Sequence, residues 1–144
     1  MDSLERPLFG DVLAFARERW VREMARRLAA RGYREYRRSD AFALRFLSTG
    51  PRALGEFAAP FGATRQAARK MVTGLIQRGY ASLEVDPHDA RRRRVLLTTA
   101  GREYAKAVIH TIDALNREVA SIVDPADLAT ARSVLTLVKD GFAP

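Results

Sequence analysis

Two clusters of side chains in this chain could do chemistry, and both suit a polyanion. The first is Thr64, Arg65, Gln66, Arg69, Lys70 and Thr73. On a helix these positions lie opposite Ala68, Met71, Val72 and Leu75, so hydroxyl, amide and cationic donors stand outward while an apolar stripe packs inward. Such donors reach phosphate oxygens and base edges. The second cluster is the run Arg91-Arg92-Arg93-Arg94. An arginine-rich hairpin suits a narrow minor groove, whose negative potential favours guanidinium groups. A solvated surface produces either cluster alone, so their order and the elements that hold them carry the reading.

Other chemistry finds no constellation. The chain has no cysteine, which excludes disulfides, thiolate metal sites and thiol redox sensing. His88 and His110 are its two histidines. His88 adjoins Asp89, but neighbours on a hairpin point to opposite faces. No nucleophile elbow, phosphate loop or metal-ligand spacing occurs. The expectation is a non-enzyme without metal or cofactor.

The elements that would position the two clusters can be read from periodicity. Leu8, Val12, Phe15, Trp20, Met24 and Leu28 recur at helical spacing over 8–30, with Glu18→Arg22 and Glu23→Arg27 as i,i+4 pairs and Gly32 as the stop. A second helix starts at Asp40, capped by Ser39 or Asp40, and Ser48-Thr49-Gly50-Pro51 is a turn. Two short helices are expected at 52–59 and 65–78, the latter capped by Thr64. Ala58 at their contact and Gly62 in the turn would permit a tight helix-turn-helix crossing. Strands over 80–85 and 93–97 form a hairpin around Asp86-Pro87-His88-Asp89. Thr98 and Thr99 cap a helix through Val123, and Asp124-Pro125 opens a last helix to about Val138. The fold class is mainly α with a small β-hairpin wing, a winged helix-turn-helix with N- and C-terminal dimerisation helices.

Composition agrees with a nucleic-acid partner. The 144 residues carry 25 Lys+Arg against 17 Asp+Glu, a net charge of +8, and a pI near 10.7. Only Lys70, Lys106 and Lys139 are lysines, and arginine is the better bidentate partner of phosphate and guanine. Hydrophobic residues make up 47% and charged ones 29%, as in a globular chain. The opening MDSLERPLFGD has no apolar core of a secretory signal, and no apolar run approaches the ~18 residues of a membrane span. The expected location is the cytoplasm, with no membrane partner.

The middle of the chain resembles the MarR family of bacterial regulators. The matching residues are Ala43-Leu44-Arg45-Phe46-Leu47, Leu54-Gly55-Glu56-Phe57-Ala58, Leu75 and Arg78-Gly79-Tyr80. The most specific piece is Asp86-Pro87-His88-Asp89-Ala90-Arg91, closing on Val95-Leu96-Leu97-Thr98 and Gly101. The resemblance implies one MarR-like domain over 1–144, with a winged core at 40–100 and dimerisation helices at 1–38 and 101–144. It implies that Arg65, Gln66, Arg69 and Lys70 meet the major groove, on the face that Thr64 and Thr73 share, that Arg91 to Arg94 serve the wing, and that Asp89 steadies an arginine by an ion pair. Ala67-Ala68 departs from the family's usual hydroxyl and β-branched pair, which leaves the operator sequence open. The implied partners are a pseudo-palindromic double-stranded operator, a second copy of the chain, and a small aromatic acid that releases a repressor from DNA. Trp20, Met24, Tyr33, Tyr36, Phe42 and Arg45 are candidate walls for that ligand. The alternative is an architectural or protein-interaction winged helix that binds DNA without specificity or ligand response.

Overall fold

The structure, a computed structural model, describes residues 6–142. The first five residues, part of the stretch read for a secretory signal, lie outside the described residues, as do the last two of the expected 101–144 unit. Helix α1 runs Phe9–Ala30 and α2 runs Asp40–Ser48. Strand β1 (Arg52–Ala53) leads into two 3₁₀ turns, Leu54–Phe57 and Ala59–Phe61, and then α3 (Arg65–Gln77). Strands β2 (Ala81–Asp86) and β3 (Asp89–Leu97) form the hairpin, followed by α4 (Thr99–Ile122) and α5 (Pro125–Gly141). The antiparallel sheet has the order β1-β3-β2. Among the described residues, five helices and this small sheet make a mainly α fold with a β-hairpin wing.

The caps explain several boundaries. Thr64 Oγ1 accepts the Ala67 N–H at 3.1 Å, and Thr98 Oγ1 accepts the Gly101 N–H at 3.0 Å. Asp124 accepts the Ala126 N–H at 2.8 Å ahead of Pro125. Each satisfies an otherwise orphaned amide of a first turn. Gly62, with φ +58°, makes the left-handed turn before α3 that a residue with a Cβ would resist.

Residues 52–59 do not form the expected helix. Arg52 and Ala53 instead pair with Val95 and Arg94 of β3, so the segment begins extended. Pro51 before it, Gly55 within it and Pro60 after it leave too short a run for an α-helix to nucleate, and the chain coils as 3₁₀ turns. The wing also differs from expectation. β3 starts at Asp89, so all four arginines lie in a strand, with only Pro87 and His88 as the turn.

The core gathers Met24 and Leu28 of α1, Leu44 and Leu47 of α2, Phe57, Val72 and Leu75 of α3, Val95 of β3, and Tyr104 and Val108 of α4. Burying each such side chain contributes about 1.5–3 kcal/mol. The two ends of the chain behave differently. Phe9 and Phe15 on α1 are 54% and 64% exposed, and α5 has no buried residue, with Leu137 at 72%.

Candidate nucleic-acid interface

Helix α3 is built to show one face. Ala68, Val72 and Leu75 are buried, while Thr64, Arg65, Gln66, Arg69, Lys70 and Thr73 are all exposed. At 3.6 residues per turn, Gln66, Lys70 and Thr73 stand at the centre of the outward face and Arg65 and Arg69 on one flank. A groove of about 420 Å³ lies between the first 3₁₀ turn and α3, with Arg65, Gln66 and Arg69 on its α3 side. Among the described residues none of these cations is ion-paired, so their charge is free for an incoming anion.

The wing is less uniform than its sequence. Val85 pairs with Arg93 and Glu84 with Arg94, so alternate arginines project to opposite faces. Arg91, Arg92 and Arg93 are exposed and carry no ion pair among the described residues. Arg94 is half-buried and bound by Glu84 across the hairpin. Its charge is largely neutralised, which separates it from the other three. Among the described residues Asp89 makes no ion pair with an arginine, the role that the resemblance implies for it. Its carboxylate accepts the Arg91 backbone N–H at 3.0 Å, and Asp86 accepts the His88 N–H at 2.8 Å. These side-chain-to-backbone bonds fix the tip of the hairpin.

The far end of α3 holds a feature that sequence reading missed. Arg78, at the C-cap, donates to both oxygens of Asp40 at 2.7 Å. The same guanidinium donates to the Gly74 and Glu35 carbonyls at 3.1 Å. Asp40 is fully buried and also accepts the Tyr104 hydroxyl at 2.8 Å and the Arg37 N–H at 3.0 Å. Burial, and then the charge of Asp40, push the Tyr104 phenol above its ordinary range. The ring of Tyr104 lies 4.8 Å from that of Tyr33 and 4.3 Å from that of Tyr80. Local sequence marks Ser39 or Asp40 as a helix cap, whereas the partners of Asp40 lie 38 and 64 residues away, beyond any local signal.

The six side chains expected to wall a ligand site are not gathered in one place. Met24 is fully buried in the core, Trp20 and Tyr36 pack at its edge, and Tyr33 is committed to the Tyr104 stack. Phe42 and Arg45 line an open cavity with Phe46, Thr49 and Arg52.

No family model matches the sequence, and no curated protein resembles it significantly. Solved structures do match, over nearly the whole chain. MepR of S. aureus in complex with DNA aligns with a TM-score of 0.81 at 15% identity, covering 95% of this chain and 100% of that one. A MarR variant from E. coli complexed with operator DNA aligns at 0.74 and 18% identity, covering 90% and 91%. The fold is the MarR-type winged helix. A third MarR-type neighbour, BpsR of Bordetella bronchiseptica, aligns at 0.75 and 19% identity, covering 92% and 94%. Its structure concerns regulation of DNA binding by 6-hydroxynicotinic acid. Along the chain, α2, the 3₁₀ turns, α3 and the β2–β3 hairpin follow one another ahead of α4. Among the described residues no helix is long and apolar enough to cross a membrane, and no acidic or histidine cluster could hold a metal ion.

Proposed function

We propose that this chain is a MarR-family transcriptional regulator that binds a specific double-stranded DNA operator in the cytoplasm. The observation that carries the reading is the set of exposed cations that have no ion pair among the described residues: Arg65, Arg69 and Lys70 on α3, and Arg91, Arg92 and Arg93 on the adjoining wing. Thr64, Gln66 and Thr73 add neutral donors and acceptors to the α3 face. Arg65 and Gln66, in the first turn, read base edges in the major groove, and the wing arginines meet backbone or minor groove. Bound between a promoter and polymerase, such a protein is a repressor.

The working form in this reading is a two-fold dimer. The exposed apolar residues of α1 and α5, from Phe9 and Phe15 to Leu135 and Leu137, are more than one small domain leaves in water. A second copy would cover them and set two recognition helices on half-sites about 10–10.5 base pairs apart. Selection of bound sequences from a random DNA pool tests the reading, with light scattering for the dimer. A pseudo-palindrome bound by a dimer is expected. Equal affinity for random DNA would replace the reading with the architectural one.

One observation favours an effector as well. A cavity of about 410 Å³ between the end of α2 and the start of α4 has apolar walls, including Leu47, Pro51, Leu97 and Ile109, with Arg102 and Lys106 on α4. Those two cations are i,i+4 neighbours and make no ion pair among the described residues, an arrangement that an organic anion would relieve. BpsR, regulated by a flat heteroaromatic acid, shares the fold. Binding of an aromatic acid here, between the winged unit and α4, would weaken the operator complex. A thermal-shift screen of aromatic acids against the protein and Lys106→Ala tests this, followed by operator titration with each hit.

A further inference from the structure

The reading helix and the long helix α4 must keep a fixed relation if two copies are to match two half-sites. Yet α3 and α4 share almost no direct packing, whereas α2 packs on both. Besides the apolar core they share, a polar connection joins them. Arg78 at the end of α3 grips Asp40 with two bonds of 2.7 Å, and Tyr104 of α4 donates to the same carboxylate at 2.8 Å. Asp40 itself opens α2, and its carboxylate also takes the Arg37 N–H of the preceding loop. The side chains of Arg78 and Asp40 are 8% and 1% exposed, so solvent does little to screen the pair. One carboxylate therefore joins the end of the recognition helix to α4.

We infer that Asp40 is a positioning residue for DNA recognition, holding α3 at a set angle to α4 through Arg78 and Tyr104, and so fixing the half-site spacing that the dimer accepts. A buried charge with four directed hydrogen bonds tolerates little angular error, because a misaligned donor leaves part of the charge unsatisfied. Apolar contacts alone would let α3 swing with a smaller penalty. Gly101 sets a second limit on the same hinge. A Cβ there would stand 1.8 Å from the Tyr80 carbonyl oxygen, so the start of α4 lies directly on the chain leaving α3. The helix pair is thus pinned by backbone contact near Tyr80 and by the Asp40 carboxylate.

The inference rests on the operator reading above, and the experiment separates the two. The selected operator is built with its own half-site spacing and with one base pair added or removed, alongside a single half-site. Wild-type protein, Tyr104→Phe and Asp40→Asn are titrated against each. Tyr104→Phe keeps the ring between Tyr33 and Tyr80 and removes only the hydroxyl. Val108→Ala, in the α4 core and outside the node, controls for lost stability. The expected result is that Tyr104→Phe loses about fivefold of the preference for the native spacing, the weight of one hydrogen bond, with single half-site affinity unchanged. Val108→Ala keeps the preference. If Asp40→Asn does not fold, Tyr104→Phe decides alone. Failure of the wild type to select an operator defeats the DNA reading. Selection by the wild type with the same spacing preference in Tyr104→Phe, or an equal loss in Val108→Ala, overturns the role of Asp40.

Discussion

The two ends of α3 use the same residue type for opposite purposes. At the N-terminal end Arg65 and Arg69 are exposed and unpaired among the described residues, and nothing in the fold needs their charge. At the C-terminal end Arg78 is almost fully covered and bound to Asp40, Gly74 and Glu35. The comparison teaches that an arginine count says little until each is sorted by its partners. Charge left unneutralised is available for binding, and charge neutralised inside is architecture. The wing repeats the lesson on a smaller scale, with Arg92 and Arg93 unpaired among the described residues and Arg94 held by Glu84.

Breaking the buried end has the largest expected effect. Arg78→Ala leaves the Asp40 carboxylate buried without its cation, which costs about 3–5 kcal/mol of folding stability. Urea unfolding measures it, and a loss below about 1 kcal/mol, the range of an exposed pair, would show that solvent reaches the site. Arg65→Ala and Gln66→Ala should do the reverse. Folding stability stays within about 0.5 kcal/mol, as for ordinary surface changes, while operator affinity drops by about 1–3 kcal/mol and sequence preference relaxes. Equal losses of stability at both ends would erase the distinction.

A smaller effect sharpens the contrast in the wing. Arg92→Ala or Arg93→Ala should each reduce the slope of log K against log salt by about 0.9, the signature of one lost phosphate contact. Arg94→Ala should change that slope less, because Glu84 already neutralises the guanidinium. Fluorescence anisotropy titrations between low and moderate salt read all three. The same slope change in Arg94→Ala as in Arg92→Ala would mean that the Glu84 pair opens on DNA.

Periodicity made most of this architecture legible before any coordinates. The apolar spacing of α1, α4 and α5, the Thr64, Thr98 and Asp124 caps, and the hairpin around Pro87-His88 follow from local chemistry. The face of α3 was legible for the same reason, since Ala68, Val72 and Leu75 fix which side turns inward. Residues 52–59 were not, because their conformation is decided by pairing with β3 some forty residues on. The four arginines of β3 hid the length of that strand, having none of the apolar alternation that marks one. Asp40 shows the deeper limit. Asp at a helix start is ordinarily a cap, and only the arrival of Arg78 and Tyr104 makes it a buried anchor. The side chains that could wall a ligand show the converse limit, for Met24 lies in the core and Tyr33 packs against it. Type and spacing do not reveal whether an aromatic side chain faces a cavity or fills one.

The two ends should also part company at high pH, with the smallest effect of the set. Arginine stays charged throughout, so the charge of Arg65 and Arg69 at the exposed end of α3 is insensitive to alkali. The buried end is ringed by phenols. Burial first and Asp40 second raise Tyr104, and the same causes push Tyr36 up to about 12. A phenol raised in the folded state stays protonated while the unfolded chain ionises, so its contribution is intact below about pH 10 and declines as pH rises further. Tyr104 alone gives a slope of about 1.4 kcal/mol per pH unit above that point. Urea midpoints should therefore be flat from pH 8 to 9.5 and fall toward pH 11. Tyr104→Phe should start less stable by one hydrogen bond, about 1 kcal/mol, and then fall less steeply. Parallel alkaline slopes in the two proteins would mean that the Tyr104 phenol ionises as it does in water, and that the anchor at the end of α3 is open to solvent.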